Sequence, residues 1–137
     1  MKREIKFRGK STDTGKWIYG FLSFFYTAGR DENGLILTDK AKIYSPEDCR
    51  CDDVWAETVG QFTGLCDKNG KEIYEGDILV CGQWIALVLW NKELATFALQ
   101  FDFEKKVGMR PLGEWHAMTV VSNIHDNPNL LKENNHE

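Results

Sequence analysis

Five carboxylates fall close together along the chain: Glu57, Asp67, Glu72, Glu75 and Asp77. Two such groups can share acid–base work when they converge on one pocket with their pKa values pushed apart. Glu75-Gly76-Asp77 supplies a spacing of two, which puts both acids on one face of a strand. Beside a turn glycine, however, an Asp more often accepts backbone N–H groups than moves a proton. His116 lies in a strand pattern between Trp115 and Ala117, and His125 in a turn before Asp126. Neither has a nucleophile at a recognisable spacing. The chain has no Gly-x-Ser-x-Gly, no His-Glu-x-x-His and no Walker loop. The expectation is a protein without catalytic residues, not an enzyme.

Cys49, Cys51, Cys66 and Cys81 pose the metal question. Structural zinc takes cysteines in pairs with two to four residues between them, whereas Cys49 and Cys51 have only one between them and the other two stand alone. Cys81 fits an apolar strand as a small hydrophobe, Cys66 borders a turn, and Cys49 and Cys51 fall in a polar loop. The spacing predicts reduced thiols, no metal site and no cofactor.

The elements that carry these groups read as many short strands. The chain has 137 residues, with five Trp, eight Phe and four Tyr but three Pro, enough apolar material for a core. Its first residues are charged with no apolar run behind them, and no stretch is long enough to cross a bilayer. A soluble, cytoplasmic protein with no membrane contact is expected.

Ile5 and Phe7 alternate with charged residues, and residues 11–15 have turn chemistry. Residues 16–26 form a strand apolar on both sides, Trp17, Tyr19, Phe21 and Phe25 against Ile18, Leu22 and Phe24, and so covered twice. Asn33-Gly34 marks a turn, followed by two short strands, 35–38 and 41–44, around Asp39 and Lys40. Residues 45–53 read as a loop or a helical turn capped by Ser45. Asn69-Gly70 predicts a hairpin with a primed turn, both residues at positive φ. Gly64, Gly70 and Gly76 are expected at turns where a Cβ would clash.

Residues 78–81, the nearly unbroken apolar run Trp84–Trp90, and residues 96–103 then follow as strands. In the last, Phe97, Leu99, Phe101 and Phe103 point inward and Ala98, Gln100 and Asp102 outward. Residues 105–108 form a turn, residues 114–124 supply a final strand or two, and Asn127-Pro128 begins a short helical turn.

The predicted fold class is all-β: N-terminal antiparallel strands packed on a small SH3-like barrel (roughly residues 75–126), with at most one or two short helical turns. The domains are 1–56, an N-terminal β subdomain; 57–131, the signature hairpin and barrel; and 132–137, a flexible tail. Bulky residues on the doubly apolar strands, Phe25, Trp84 and Trp90 above all, predict an interface. A homo-oligomer follows, because large exposed apolar patches on soluble proteins are usually contact sites.

Charge is uneven. Residues 1–30 hold seven basic groups against two acidic, residues 31–56 three against seven, and the whole chain is −4. A basic segment can serve a nucleic-acid face, but an acidic total opposes phosphate binding. Binding to another protein, or to copies of itself, is therefore favoured. The alternative is a nucleic-acid-binding accessory that uses the basic N-terminal strand and the barrel.

Four segments carry a resemblance: Arg3-Glu-Ile-Lys-Phe-Arg8, Thr58-Val-Gly-Gln-Phe-Thr-Gly-Leu65, Asp67-Lys-Asn-Gly-Lys-Glu-Ile-Tyr-Glu-Gly-Asp-Ile78 and Ser122-Asn-Ile-His-Asp-Asn-Pro-Asn-Leu-Leu131. They resemble, in order, the YopX family of small, mostly phage-encoded proteins. The resemblance implies a compact, mainly β fold and a phage or prophage gene in a bacterial host, so that an unknown host or phage protein is the partner to expect, and it brings no catalytic residues. The residues expected to carry the structural signature are Gly60, Gly64, Asn69, Gly70, Glu75, Gly76 and Asp77.

Overall fold

The structure, a computed structural model, describes residues 3–101, 109–114 and 118–131. Eleven strands run through them: β1 (Phe7–Lys10), β2 (Trp17–Asp31), β3 (Gly34–Ser45), β4 (Arg50–Trp55), β5 (Gly60–Cys66), β6 (Glu72–Tyr74), β7 (Asp77–Cys81), β8 (Trp84–Asn91), β9 (Thr96–Gln100), β10 (Met109–Pro111) and β11 (Thr119–Asn123). Short 3-10 turns occupy Ala56–Thr58 and Leu112–Glu114. The protein is thus nearly all β, as its alternating patterns and glycine-marked turns require. Its chain divides into two compact units, Met1–Phe62 and Thr63–Glu137, within β5. The expected tail (132–137), the turn at 105–108, His116, and Asp102 and Phe103 lie outside the described residues.

In the first unit the order is β4-β3-β2-β1-β5, antiparallel throughout. One side of this sheet buries Ala41, Ile43 and Val54, with Phe7, Ile18, Leu22, Phe25 and Val59 packed around them. Two glycines let the backbones close up there. A Cβ on Gly9 would come within 2.7 Å of Val54 Cγ2, and one on Gly20 would run into the Tyr44 carbonyl.

Four expectations for this unit need correction. β2 is not covered twice, since Tyr19, Phe21 and Phe24 are each about half exposed. Phe25 does not share a side with Phe21, because the β2–β3 register slips between Leu22 and Phe24. That bulge adds one residue and reverses the phase, so Phe25 joins Leu22 on the core side. Residues 35–38 and 41–44 are not separate strands; β3 runs unbroken through Asp39 and Lys40. Residues 45–53 are a turn only at 46–49. Ser45 pairs with Arg50 across a tight turn in which Cys49 takes φ 51°, and β4 follows, with Cys51 opposite Tyr44.

In the second unit, the later part of β5 leads to β6, and five strands form an antiparallel sheet in the order β10-β9-β8-β7-β11. β7 to β10 run as a meander, and β11 returns beside β7. Ile73, Leu79, Ala86, Val88, Leu99, Phe101, Leu112, Met118 and Val120 form its core, with Cys81 and Phe97 against it. Ala98 is fully buried rather than outward, so β9 buries neighbouring residues on both of its faces.

The Asn69-Gly70 hairpin is real but its turn is not primed. Gly70 has φ 85° while Asn69 is not at positive φ, and Gly70 N donates to the Asp67 carbonyl (3.0 Å). This is an ordinary turn over Lys68 and Asn69, closed by a left-handed glycine. A Cβ on Gly64 or Gly70 would meet nothing within 4 Å, and one on Gly76 would reach only van der Waals contact. Backbone angle, not crowding, selects these glycines: φ is 91°, 85° and 94°. Gly70→Val should therefore cost about 1 kcal/mol in a chemical-denaturation experiment, because a β-branched residue resists positive φ. An unchanged midpoint contradicts this.

Candidate functional site

Antiparallel pairing puts directly opposed residues on the same side of a sheet. On the side of the first sheet away from its core, Lys10 lies opposite Trp17 and Arg8 opposite Tyr19. Phe21 and Phe24 lie opposite Tyr44 and Lys42, which in turn face Cys51 and Asp53, and Lys40 faces Trp55. The product is an aromatic row along β2, bordered by cations from β1 on one flank and β3 on the other.

The cations stack on rings. Arg8 sits 4.5 Å and Lys10 5.5 Å from the Trp17 centroid, Lys6 5.2 Å from Phe62, Lys42 5.7 Å from Tyr26 and Lys40 5.9 Å from Trp55. Each ring's negative face attracts the charge and orients its stem. Arg8 is buried, whereas Lys40 is exposed and Lys6, Lys10 and Lys42 are half-buried. Phe24 meets Tyr26 edge-on, with ring centroids 5.1 Å apart.

A polar knot fixes the centre of this face. The Tyr26 hydroxyl donates to Asp53 Oδ1 (2.7 Å), and Lys42 Nζ lies 3.3 Å from the same oxygen. The Tyr26 hydroxyl, ahead of Lys42, holds the Asp53 carboxyl below its ordinary range. Tyr26 and then Asp53 raise the Lys42 ammonium. Lys42 stays positive and Asp53 negative at neutral pH.

At one end of the face is a cleft of about 260 Å³. Its walls include Lys6, Tyr19, Phe21 and the turn after β3, with Glu4, Glu47 and Asp48 supplying carboxylates. Lys6 Nζ is 3.4 Å from Glu4. A larger hollow of about 470 Å³ is bordered by Thr38, Asp39, Trp55, Ala56 and Glu57.

Apart from Gly60, the signature residues occupy a different part of the chain. Asp77 is buried, and its Oδ2 accepts from Tyr74 N (2.8 Å). Asp67 is buried too: Oδ1 accepts from Asn69 N (2.8 Å) and Lys71 N (2.9 Å), and Oδ2 from Val120 N (3.0 Å). Burial pushes the Asp67 carboxyl up, but the three N–H donors and Lys71 outweigh it and the net shift is downward. Gly60 is buried opposite Arg8, and Glu75 is half-buried.

Gly76 lies near the His125 ring. Asn127 begins the closing turn as expected, its carbonyl accepting from Leu130 N (3.2 Å), and just before it Asn123 Oδ1 accepts from His125 N and Asp126 N.

Trp84 and Trp90 are 42% and 48% exposed, each edge-on to a neighbour, Phe101 and Phe97 respectively. Cys49, Cys51 and Cys66 are exposed, and Cys81 is half-buried. Among the described residues, no three His, Cys, Asp or Glu side chains gather as a metal would need. No described helix is long and apolar enough to cross a membrane.

Sequence patterning had missed this outer face. Lys40 and Lys42 alternate with Ala41 and Ile43, the period-two signal that places both lysines opposite the core. The bulge in β2, which sends Phe24 and Tyr26 to the same side, has no such signal.

Two small antiparallel β units define the class: an almost wholly β-stranded protein whose first sheet leaves an aromatic and basic face uncovered. The chain belongs to the YopX family, whose model, described as YopX protein, matches residues 6–132. It is also similar to a solved structure, the crystal structure of protein EF1440 from Enterococcus faecalis. The two are 26% identical, with 95% of this chain and 99% of that one covered and a TM-score of 0.52. No curated protein matches the sequence.

Proposed function

We propose that this protein is a non-enzymatic, phage-type accessory that works by self-assembly through the β2–β3 hairpin. One observation carries the reading. β1 covers only residues 17–20 of β2 and β4 only residues 40–45 of β3, so, among the described residues, residues 27–37 pair only with each other. That arm exposes Leu35 (57%), Ile36 (40%) and Leu37 (58%). A two-stranded ribbon is marginal alone in water, and its open edges are templates for another strand.

A second copy fits best as the occupant. The tip carries both signs, Arg30 beside Asp31 and Glu32, so two tips in antiparallel register bring opposite charges together. Leu35 and Leu37, opposite Arg30 and Thr27, supply one apolar side of such a contact and Ile36 the other.

Light scattering over a hundredfold dilution should show a dimer that dissociates. Leu35→Glu with Leu37→Glu should give a folded monomer whose melting temperature no longer depends on concentration, because both side chains are exposed within one chain. A monomer at every concentration removes the proposal. Trp90→Glu, in the second unit, is expected to leave the dimer intact.

A further inference from the structure

We infer that the outer face of the first sheet binds single-stranded nucleic acid, with Tyr19, Phe21 and Phe24 as stacking platforms and Lys6, Lys10, Lys40 and Lys42 as phosphate partners. This goes beyond assembly through the arm and rests on different residues. Tyr19, Phe21 and Phe24 are 47%, 51% and 48% exposed, although burial is the ordinary lot of large rings in a small sheet. Alternate residues on a strand rise about 6.7 Å apart, so Tyr19 and Phe21 present separate platforms for successive bases. Aromatic rings on an open sheet with cations along the flanks are the recurring means of holding an unpaired strand.

The charges fit that ligand in a position-dependent way. Lys6 and Lys42 have carboxylate neighbours, Glu4 and Asp53. The carboxylate side of each pair is open to solvent, 62% for Glu4 and 41% for Asp53, where screening keeps the attraction weak, so a phosphate can share or replace it. Lys10 and Lys40 are steered by Trp17 and Trp55, one on each flank. Arg8, buried against Trp17, positions that ring rather than meeting phosphate. Glu4, Glu47 and Asp48 repel phosphate at the cleft, so the base side of the strand enters there, where a carboxylate accepts from an exocyclic amine. The chain's excess negative charge lies elsewhere: residues 1–62 hold ten basic and ten acidic groups.

Fluorescence anisotropy with a labelled mixed-sequence oligonucleotide of about 15 nucleotides tests the inference. Binding should weaken roughly 50-fold between about 50 and 200 mM salt if four phosphates are contacted. Phe21→Ala and Phe24→Ala should each weaken it about tenfold with no change in melting temperature, and Lys40→Glu should flatten the salt dependence. The Leu35→Glu, Leu37→Glu variant should bind as the parent does, which separates this face from the arm. No binding at about 50 mM salt overturns the inference. So does binding that survives the double phenylalanine variant, a preference for duplex of equal length, or equal binding of labelled polyglutamate, the mark of an acidic-protein site.

Discussion

Gly20→Ala should unfold much of the first unit at moderate denaturant, costing about 3 kcal/mol or more. The new Cβ would point into the carbonyl of Tyr44 and lie 3.1 Å from Ser45 Cα, and both neighbours are backbone of the paired strand. Neither can turn aside as a side chain can. The strands cannot ease apart there either, because Ser45 Oγ donates to the Tyr19 carbonyl (2.9 Å) and fastens them. Gly9→Ala makes the comparison. Its Cβ would press on Val54 Cγ2 at 2.7 Å and Val54 Cβ at 2.9 Å, side-chain atoms rather than the main chain of the partner strand, so the cost should be smaller, about 2 kcal/mol. Equilibrium unfolding of both variants checks the order, and a Gly20→Ala variant as stable as Gly9→Ala contradicts it.

Asp67→Ala should cost a further sort of stability, about 3 kcal/mol, through lost hydrogen bonds rather than lost space. Three backbone N–H groups lose a charged acceptor. Those of Asn69 and Lys71, in an exposed turn, can turn to water, whereas the Asp67–Val120 bond is buried and joins positions 53 residues apart. Asp67→Asn, which keeps one carbonyl oxygen, should lose less.

The same carboxyl fixes a pH dependence. Its folded pKa is lowered, so the stabilisation is complete above the unfolded value of about 3.9 and fades as pH falls through the folded value. The parent should therefore lose melting temperature more steeply below about pH 4 than Asp67→Asn does. Parallel curves down to low pH would show that the charge contributes nothing.

These two positions also show what was legible in the sequence. The run from Thr58 to Ile78 announced its turns, and Gly64, Gly70 and Gly76 do sit at positive φ. Asp67 stood among the candidate acids because a carboxylate beside a turn looks alike whether it moves protons or holds N–H groups. Its partner at Val120 is set by tertiary pairing. Gly20 has no turn residues beside it, and what demands a glycine there is the approach of β3.

The arm escaped notice for a related reason. Thr38, Asp39 and Lys40 resemble a break, yet the β2–β3 ladder carries the strand past them. Phe25 was expected at an interface, and a single bulged residue turned it to the core while leaving Phe24 outside. Local patterning reports the period of a strand faithfully but cannot see a slip in register, because the slip is decided by the partner strand.

Hydrogen–deuterium exchange across a range of protein concentrations addresses the arm most directly. If residues 27–37 pair with a second copy, their amides should be protected at high concentration and exchange progressively faster on dilution, while those of β1 and β4 stay constant. Exchange of residues 27–37 that is fast and indifferent to concentration contradicts assembly through the arm.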